Sequence, residues 1–123
     1  MIIERTVSPE TAADLARRVQ NTFELELRNH FEVEERILFP AILAGLGPTP
    51  LVDELVAEHR KLEALVEETR TEQPAALREF AAALSGHIRR EERELFEDIQ
   101  RLPAETLEQL GRSIDAAVVR VCL

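Results

Sequence analysis

Apolar residues recur along this chain at spacings of three and four through four successive stretches, the period of a helix with one buried face. In the first stretch Ala12, Leu15, Ala16, Val19, Phe23, Leu27, His30, Glu34, Ile37 and Ala41 share a stripe. Ser8 supplies an N-cap oxygen and Pro9 takes the first helical position, where a missing N–H costs nothing. Pro40 should kink or end this helix. The turn Gly45-Leu46-Gly47-Pro48 follows, and Thr49-Pro50 repeats the cap-plus-proline signal ahead of a stripe of Val52, Leu55, His59, Leu62 and Val66. Gln73-Pro74 opens a third helix with Leu77, Phe80, Leu84, His87, Glu91, Leu95 and Ile99 on one face. Leu102-Pro103 opens a fourth with Leu107, Leu110, Ile114, Val118 and Val121. No segment has the alternation or β-branched density of a strand. The pattern predicts an all-α fold, an up-down-up-down four-helix bundle with helices at about 9–40, 50–71, 74–99 and 103–121.

Polar residues interrupt these stripes at only a few places, and those places carry the chemistry. All three histidines fall on positions expected to face the core, and His30 and His87 each have a glutamate one turn later, Glu34 and Glu91. The two pairs lie in a repeat: His30 to Phe39 and His87 to Phe96 agree at six of ten positions. An imidazole beside a carboxylate on a buried helix face is how helical bundles project nitrogen and oxygen ligands onto metal ions, with carboxylates able to bridge two of them. Buried together without a cation or a proton, Glu34 and Glu91 would repel each other. His59 stands in the middle of its own stripe and is a further nitrogen donor. Mixed nitrogen and oxygen ligands without cysteine suit iron or manganese, with zinc an alternative, and argue against iron–sulfur clusters or haem. The neighbouring charges Glu35, Arg36, Glu92 and Arg93 read as a solvated, salt-bridged face.

Composition narrows the partners. The chain has 123 residues, enough for one helical domain spanning 1–123, and a formal net charge of −9. Such a surface repels nucleic acid and anionic membranes. Cys122 is the single cysteine and has no internal partner for a disulfide, which fits a cytoplasmic protein. No apolar run approaches the roughly 20 residues of a membrane span. There is no Ser/His/Asp set, glycine-rich phosphate loop or zinc-finger spacing.

The motifs HFEVEERILFP, EHRKLEALV and HIRREERELFEDI, in that order, resemble the hemerythrin-like (HHE cation-binding) family, over about Ala12 to Ile114. The resemblance implies a four-helix bundle holding a non-haem di-iron centre with terminal histidines and two bridging carboxylates. By motif, His30 and Glu34 correspond to ligands of the family's second helix, His59 to one of the third, and His87 and Glu91 to those of the fourth. The chain departs from that pattern in three ways. It lacks the family's first helix and its histidine, has Glu63 where oxygen carriers place a second histidine, and spaces His87 and Glu91 by four rather than five. These departures argue against reversible oxygen carriage. The missing ligand has Glu26, Glu63, water or a partner chain as substitutes, and the fourth helix is expected to fill the vacant helix slot, failing which an apolar face would favour a homodimer.

The resemblance implies a binding protein acting in oxygen or nitric oxide response or in iron handling. Ferroxidase or peroxide-consuming activity is the enzymatic alternative, since a metal with an exchangeable position can activate a small oxidant. A helical scaffold or interaction module with a degenerate site is the third reading.

Overall fold

Pro9, Pro50 and Pro74 begin helices as expected, and Pro103 stands immediately before the fourth. The computed structural model describes residues 9–122, with side chains from 10 to 117. The first helix, α1 (9–46), runs through α-helical Pro9–Thr22, a wide π turn at Phe23–Leu27, Arg28–Val33, a second π turn at Glu34–Leu38, and Phe39–Leu46. Helix α2 (Pro50–Glu68) ends in a 3-10 turn, Thr69–Thr71. Helix α3 (74–100) contains a third π turn at Glu91–Leu95, and α4 spans Ala104–Cys122. No strand occurs among the described residues. The Ser8 cap and the Val118 and Val121 contacts lie outside the described residues and side chains.

Packing sets the helix directions. Ala12 and Ala16 meet Leu77; Phe23 and Phe31 meet Leu62, Leu65, Val66 and Phe80; Leu38, Phe39 and Ile42 meet Leu51, Val52, Leu55 and Leu95. Ascending α1 therefore means descending α2 and ascending α3, an up-down-up arrangement that α4 completes by returning with Leu110 against the Leu38 end. Gly47, with φ 87, ends α1 while its N–H bonds Leu43 O at 2.9 Å. Thr49 then caps α2, its hydroxyl accepting from Leu51 N–H at 3.2 Å.

From His30 onward the stripe of α1 is displaced by one residue from the sequence expectation except at Glu34, which is buried as expected. His30 is exposed and Phe31 buried, and Leu38, Phe39 and Ile42 replace Ile37 and Ala41 as the fully buried positions. The cause is the π turn at Phe23–Leu27, where Arg28 N–H bonds Phe23 O five residues back and so inserts one residue into the helical period. Pro40 does not end the helix. Its ring would collide with the carbonyl of Arg36, and Arg36 sits in the second π turn, whose extra residue opens the backbone there.

Helix α4 covers only one end of the three-helix core. Leu107, Leu110 and Ile114 pack on the core built from Leu38, Leu55, Leu95 and Leu102. Nearer the middle of α1, a cavity of about 390 Å³ lies between α1 and α3, lined by Leu27, His30, Phe31, Leu84, His87, Ile88 and acidic neighbours, with no residue of α4 in its wall. If α4 is integral to the core, Leu110→Ala should cost about 2–4 kcal/mol in urea denaturation. The same change at exposed Leu25 should cost under about 0.5 kcal/mol.

Candidate metal centre

The layer between the two large apolar clusters is polar. His59, from α2, is fully buried, with Phe31 stacked on one face at 3.9 Å between centroids and Phe39 stacked at 5.9 Å. His87, from α3, lies edge-on at 4.9 Å from the His59 ring. Glu34 and Glu91 each stand at the head of a π turn, so the repeated Glu-Glu-Arg-x-Leu segments adopt the same local backbone in α1 and α3. In both, the leucine that closes the turn is also buried, Leu38 and Leu95. The wide turn lets its leading carboxylate and its trailing apolar residue face inward together.

Glu34, His59, His87 and Glu91 converge so that one donor atom of each lies within 4.8 Å of those of the others. His59 Nε2 is 2.9 Å from Glu34 Oε1, and His87 Nε2 is 3.2 Å from Glu91 Oε1. Yet Glu34 Oε1, His59 Nε2, His87 Nε2 and Glu91 Oε2 are all buried without an aligned hydrogen-bond partner. Buried polar atoms are seldom left this way, and four of them facing one another match the donor set of a cation.

On the outside of the layer every ring nitrogen is held. His59 Nδ1 is 2.7 Å from Glu35 Oε2, and Glu35 in turn contacts Arg60. His87 Nδ1 is 2.7 Å from Glu58 Oε1, with Arg90 donating to the other oxygen of Glu58 at 2.9 Å. In a neutral ring, a proton on Nδ1 serves that outer carboxylate and leaves Nε2 as a bare lone pair pointing inward, the carboxylate–histidine arrangement that orients metal-binding imidazoles. Sequence reading missed Glu58, Arg60 and Arg90 and placed Glu35 on a solvated face, whereas Glu35 is half-buried beneath Arg60. The one available signal was adjacency, since Glu35 follows Glu34 and Glu58 precedes His59. Arg36, Glu92 and Arg93 are exposed as expected.

The two facing carboxylates differ. For Glu34, burial acts to raise the pKa, but the adjacent imidazoles of His30 and His59 outweigh it and hold the carboxyl below the usual range. For Glu91, burial together with the neighbouring Glu34 outweighs the pull of His87, and the pKa is raised. Burial disfavours the charged form of His87, but Glu91 and Glu58 prevail and raise it. Glu58, also opposed by burial, is lowered by His87 and Arg90. One site thus holds an ionised carboxylate and, opposite it, one that retains a proton more readily.

The fifth sequence candidate, His30, is not in this cluster. Its side chain is 60% exposed at the rim, with Nε2 3.5 Å from Glu34 Oε2. The same one-residue shift that buries Phe31 turns His30 outward. Of the substitutes considered for a missing ligand, Glu63 contacts Arg60 and lines a separate cavity with Arg28 and Arg36, while Glu26 lines both cavities beside His30. No helix among the described residues is long and apolar enough to cross a membrane.

A family model for the hemerythrin HHE cation binding domain matches residues 2–99. No curated protein and no solved structure matches the chain significantly. The matched span covers most of the chain and includes all four clustered side chains. This chain belongs to the hemerythrin HHE cation-binding family.

Proposed function

We propose that this protein binds non-haem iron at Glu34, His59, His87 and Glu91, with a second iron on the His30 side of Glu34, and acts in oxygen or nitric oxide response or iron handling. The observation that carries the reading is the set of four buried, mutually facing donor atoms without hydrogen-bond partners. Two imidazoles and two carboxylates suit iron or manganese, and zinc among redox-silent ions. A bound iron would supply an exchangeable position for a small ligand. Glu34 and Glu91 would hold the ion, His59 and His87 would orient it, and Glu35 and Glu58 would keep the ring tautomers. Phe31 and Phe39 exclude water from the faces of His59. The cavity between α1 and α3, walled in part by Leu27, Phe31, Leu84 and Ile88, reaches His87 and Glu91 and is large enough to admit a small ligand such as a diatomic gas.

Protein purified without chelators should carry iron, and the anaerobic ferrous form should change its absorption spectrum on addition of nitric oxide or oxygen. His59→Ala should remove most of the metal. A second reading, a helical scaffold, is favoured by the two relays Arg60–Glu35–His59 and Arg90–Glu58–His87, which tie the helices together without an ion. Less than about a tenth of an equivalent of metal, with a melting temperature indifferent to chelation, is the outcome that would select it.

Protonation should compete with the metal. Glu91 is raised above 4.5 and His87 above 6.5, so each stabilises the metal-free fold at low pH and loses that contribution as pH rises through its folded pKa. Glu34, lowered from 4.5, contributes above that value and loses its contribution as pH falls into the strongly acid range. Metal-free protein should therefore become less stable between about pH 5 and about pH 8, while the increase in melting temperature on adding metal grows over the same interval. Melting curves of both forms at several pH values check this, and a metal-free protein that gains stability across the interval contradicts it.

The outer carboxylates give a third test. Glu58→Gln should weaken metal binding by about 10–100-fold, measured by competition with a chelator, without unfolding the metal-free protein.

A further inference from the structure

The outer face of α3 carries a stripe that the bundle itself does not use. Ala75, Glu79, Ala82, Gly86 and Arg89 are all exposed and follow one another at spacings of four, three, four and three. They lie in the α-helical Pro74–Arg90 part, ahead of the π turn, so the regular helical period applies and they share one face. A spacing that averages about 3.5 residues is that of a seam along which two helices pack side by side. Beside the stripe a groove of about 300 Å³ runs between α2 and α3, with Lys61 and Leu62 on one wall and Ala82, Ala83 and Gly86 on the other. It leaves room for a second helix to settle against α3.

Gly86 has no reason within the chain to be glycine. A glycine inside a helix is destabilising relative to alanine, because it gives the unfolded chain more freedom to lose. It is tolerated where φ is positive or where a β carbon would collide with a neighbour. Gly86 has an ordinary helical backbone, and a β carbon built on it would meet nothing within 4 Å. Its missing side chain makes space on the outside of the bundle, where the backbone of another molecule can approach closely. The charges of the stripe are a second, separate indication. Glu79 and Arg89 make no ion pair among the described residues, and Arg89 donates only to Ser85 Oγ, at 3.4 Å.

We infer that the outer face of α3 is the contact surface of a homodimer, in which the α3 helices of two copies pack antiparallel about a two-fold axis between Ala82 and Gly86. A two-fold contact is self-complementary, so that if one residue meets a second, the second meets the first. In this register Ala82 of each copy lies against Gly86 of the other, and the small side chains let the helix axes come close. One turn further out on both sides of the axis, Glu79 of each copy faces Arg89 of the other. Parallel packing would instead set Glu79 on Glu79 and Arg89 on Arg89, and like charges would repel. The occupant is a second copy because the charges one copy presents are those the other needs, in reverse order. A contact made mainly by one pair of helices is small, so the dimer is weak and depends on concentration. No metal is needed for it.

Sedimentation equilibrium of the full chain as purified, from about 10 μM to about 1 mM, should show a reversible equilibrium between monomer and dimer. Gly86→Leu fills the point of closest approach and should weaken the dimer by at least about tenfold. Because that position is exposed and has open space around it, the leucine variant should melt at the temperature of the wild-type monomer. Glu79→Arg and Arg89→Glu, made singly, set like charges opposite each other and should each weaken the dimer by about tenfold. Made together they exchange the two charges, and the dissociation constant should return to within about twofold of the wild type. A chain that stays monomeric at about 1 mM overturns the inference. So does a dimer indifferent to Gly86→Leu, or a double variant that associates no better than the single ones. All three outcomes leave the metal-binding reading as it stands.

Discussion

Two carboxylates face each other inside this bundle, and most of what surrounds them answers to that placement. Removing a charge from water costs several kcal/mol even after relaxation, and two like charges add to the cost. The structure answers with direction. Outward-facing atoms of the polar layer, His59 Nδ1 and His87 Nδ1, are matched by Glu35 and Glu58, which are matched in turn by Arg60 and Arg90. Inward-facing atoms of Glu34, His59, His87 and Glu91 are left to one another. A core selected for stability alone would use apolar residues here, since replacing buried ionic groups by well-packed hydrophobic ones is often neutral or stabilising. The retained donors therefore point to what they can hold.

The backbone makes the same accommodation. Helices that cross the polar layer in α1 and α3 both widen there, and each π turn begins at one of the facing carboxylates. Isolated π turns within α-helices frequently mark functional sites, because the inserted residue re-aims side chains without breaking the helix. The widened turn in α1 also explains why Pro40 is tolerated six residues after Glu34. The aromatic rings have a mechanical part as well. Phe31 belongs to one apolar cluster and Phe39 to the other, and both rings lie nearly parallel to His59, whose plane they help to fix.

Much of this was written in local patterns. Helix starts followed from Thr49-Pro50 and Gln73-Pro74, because capping and the fixed φ of proline act within a few residues. The inward positions of His59 and His87 followed from uninterrupted α-helical periods in α2 and in the Pro74–Arg90 part of α3. The internal repeat, visible as letters, became a repeat of backbone geometry. The family resemblance rested on the same motifs and agrees with the match over residues 2–99.

Tertiary structure decided the rest, for two reasons. The π turn at Phe23–Leu27 changes the period of the helix, and a stripe counted at 3.6 residues per turn then names the wrong face: His30 inward and Phe31 outward, the reverse of what is found. The outer partners come from other helices, Glu35 of α1 for His59 of α2 and Glu58 of α2 for His87 of α3, at separations of 24 and 29 residues. A charge beside a ligand in sequence reads as solvated because its neighbours along the chain are solvated. Only the packing of a second helix supplies the ring it must hold. The sequence by itself determined that histidine and glutamate would be carried into a helical core; which of their atoms would be matched, and which left facing a cation, was decided by how three helices met.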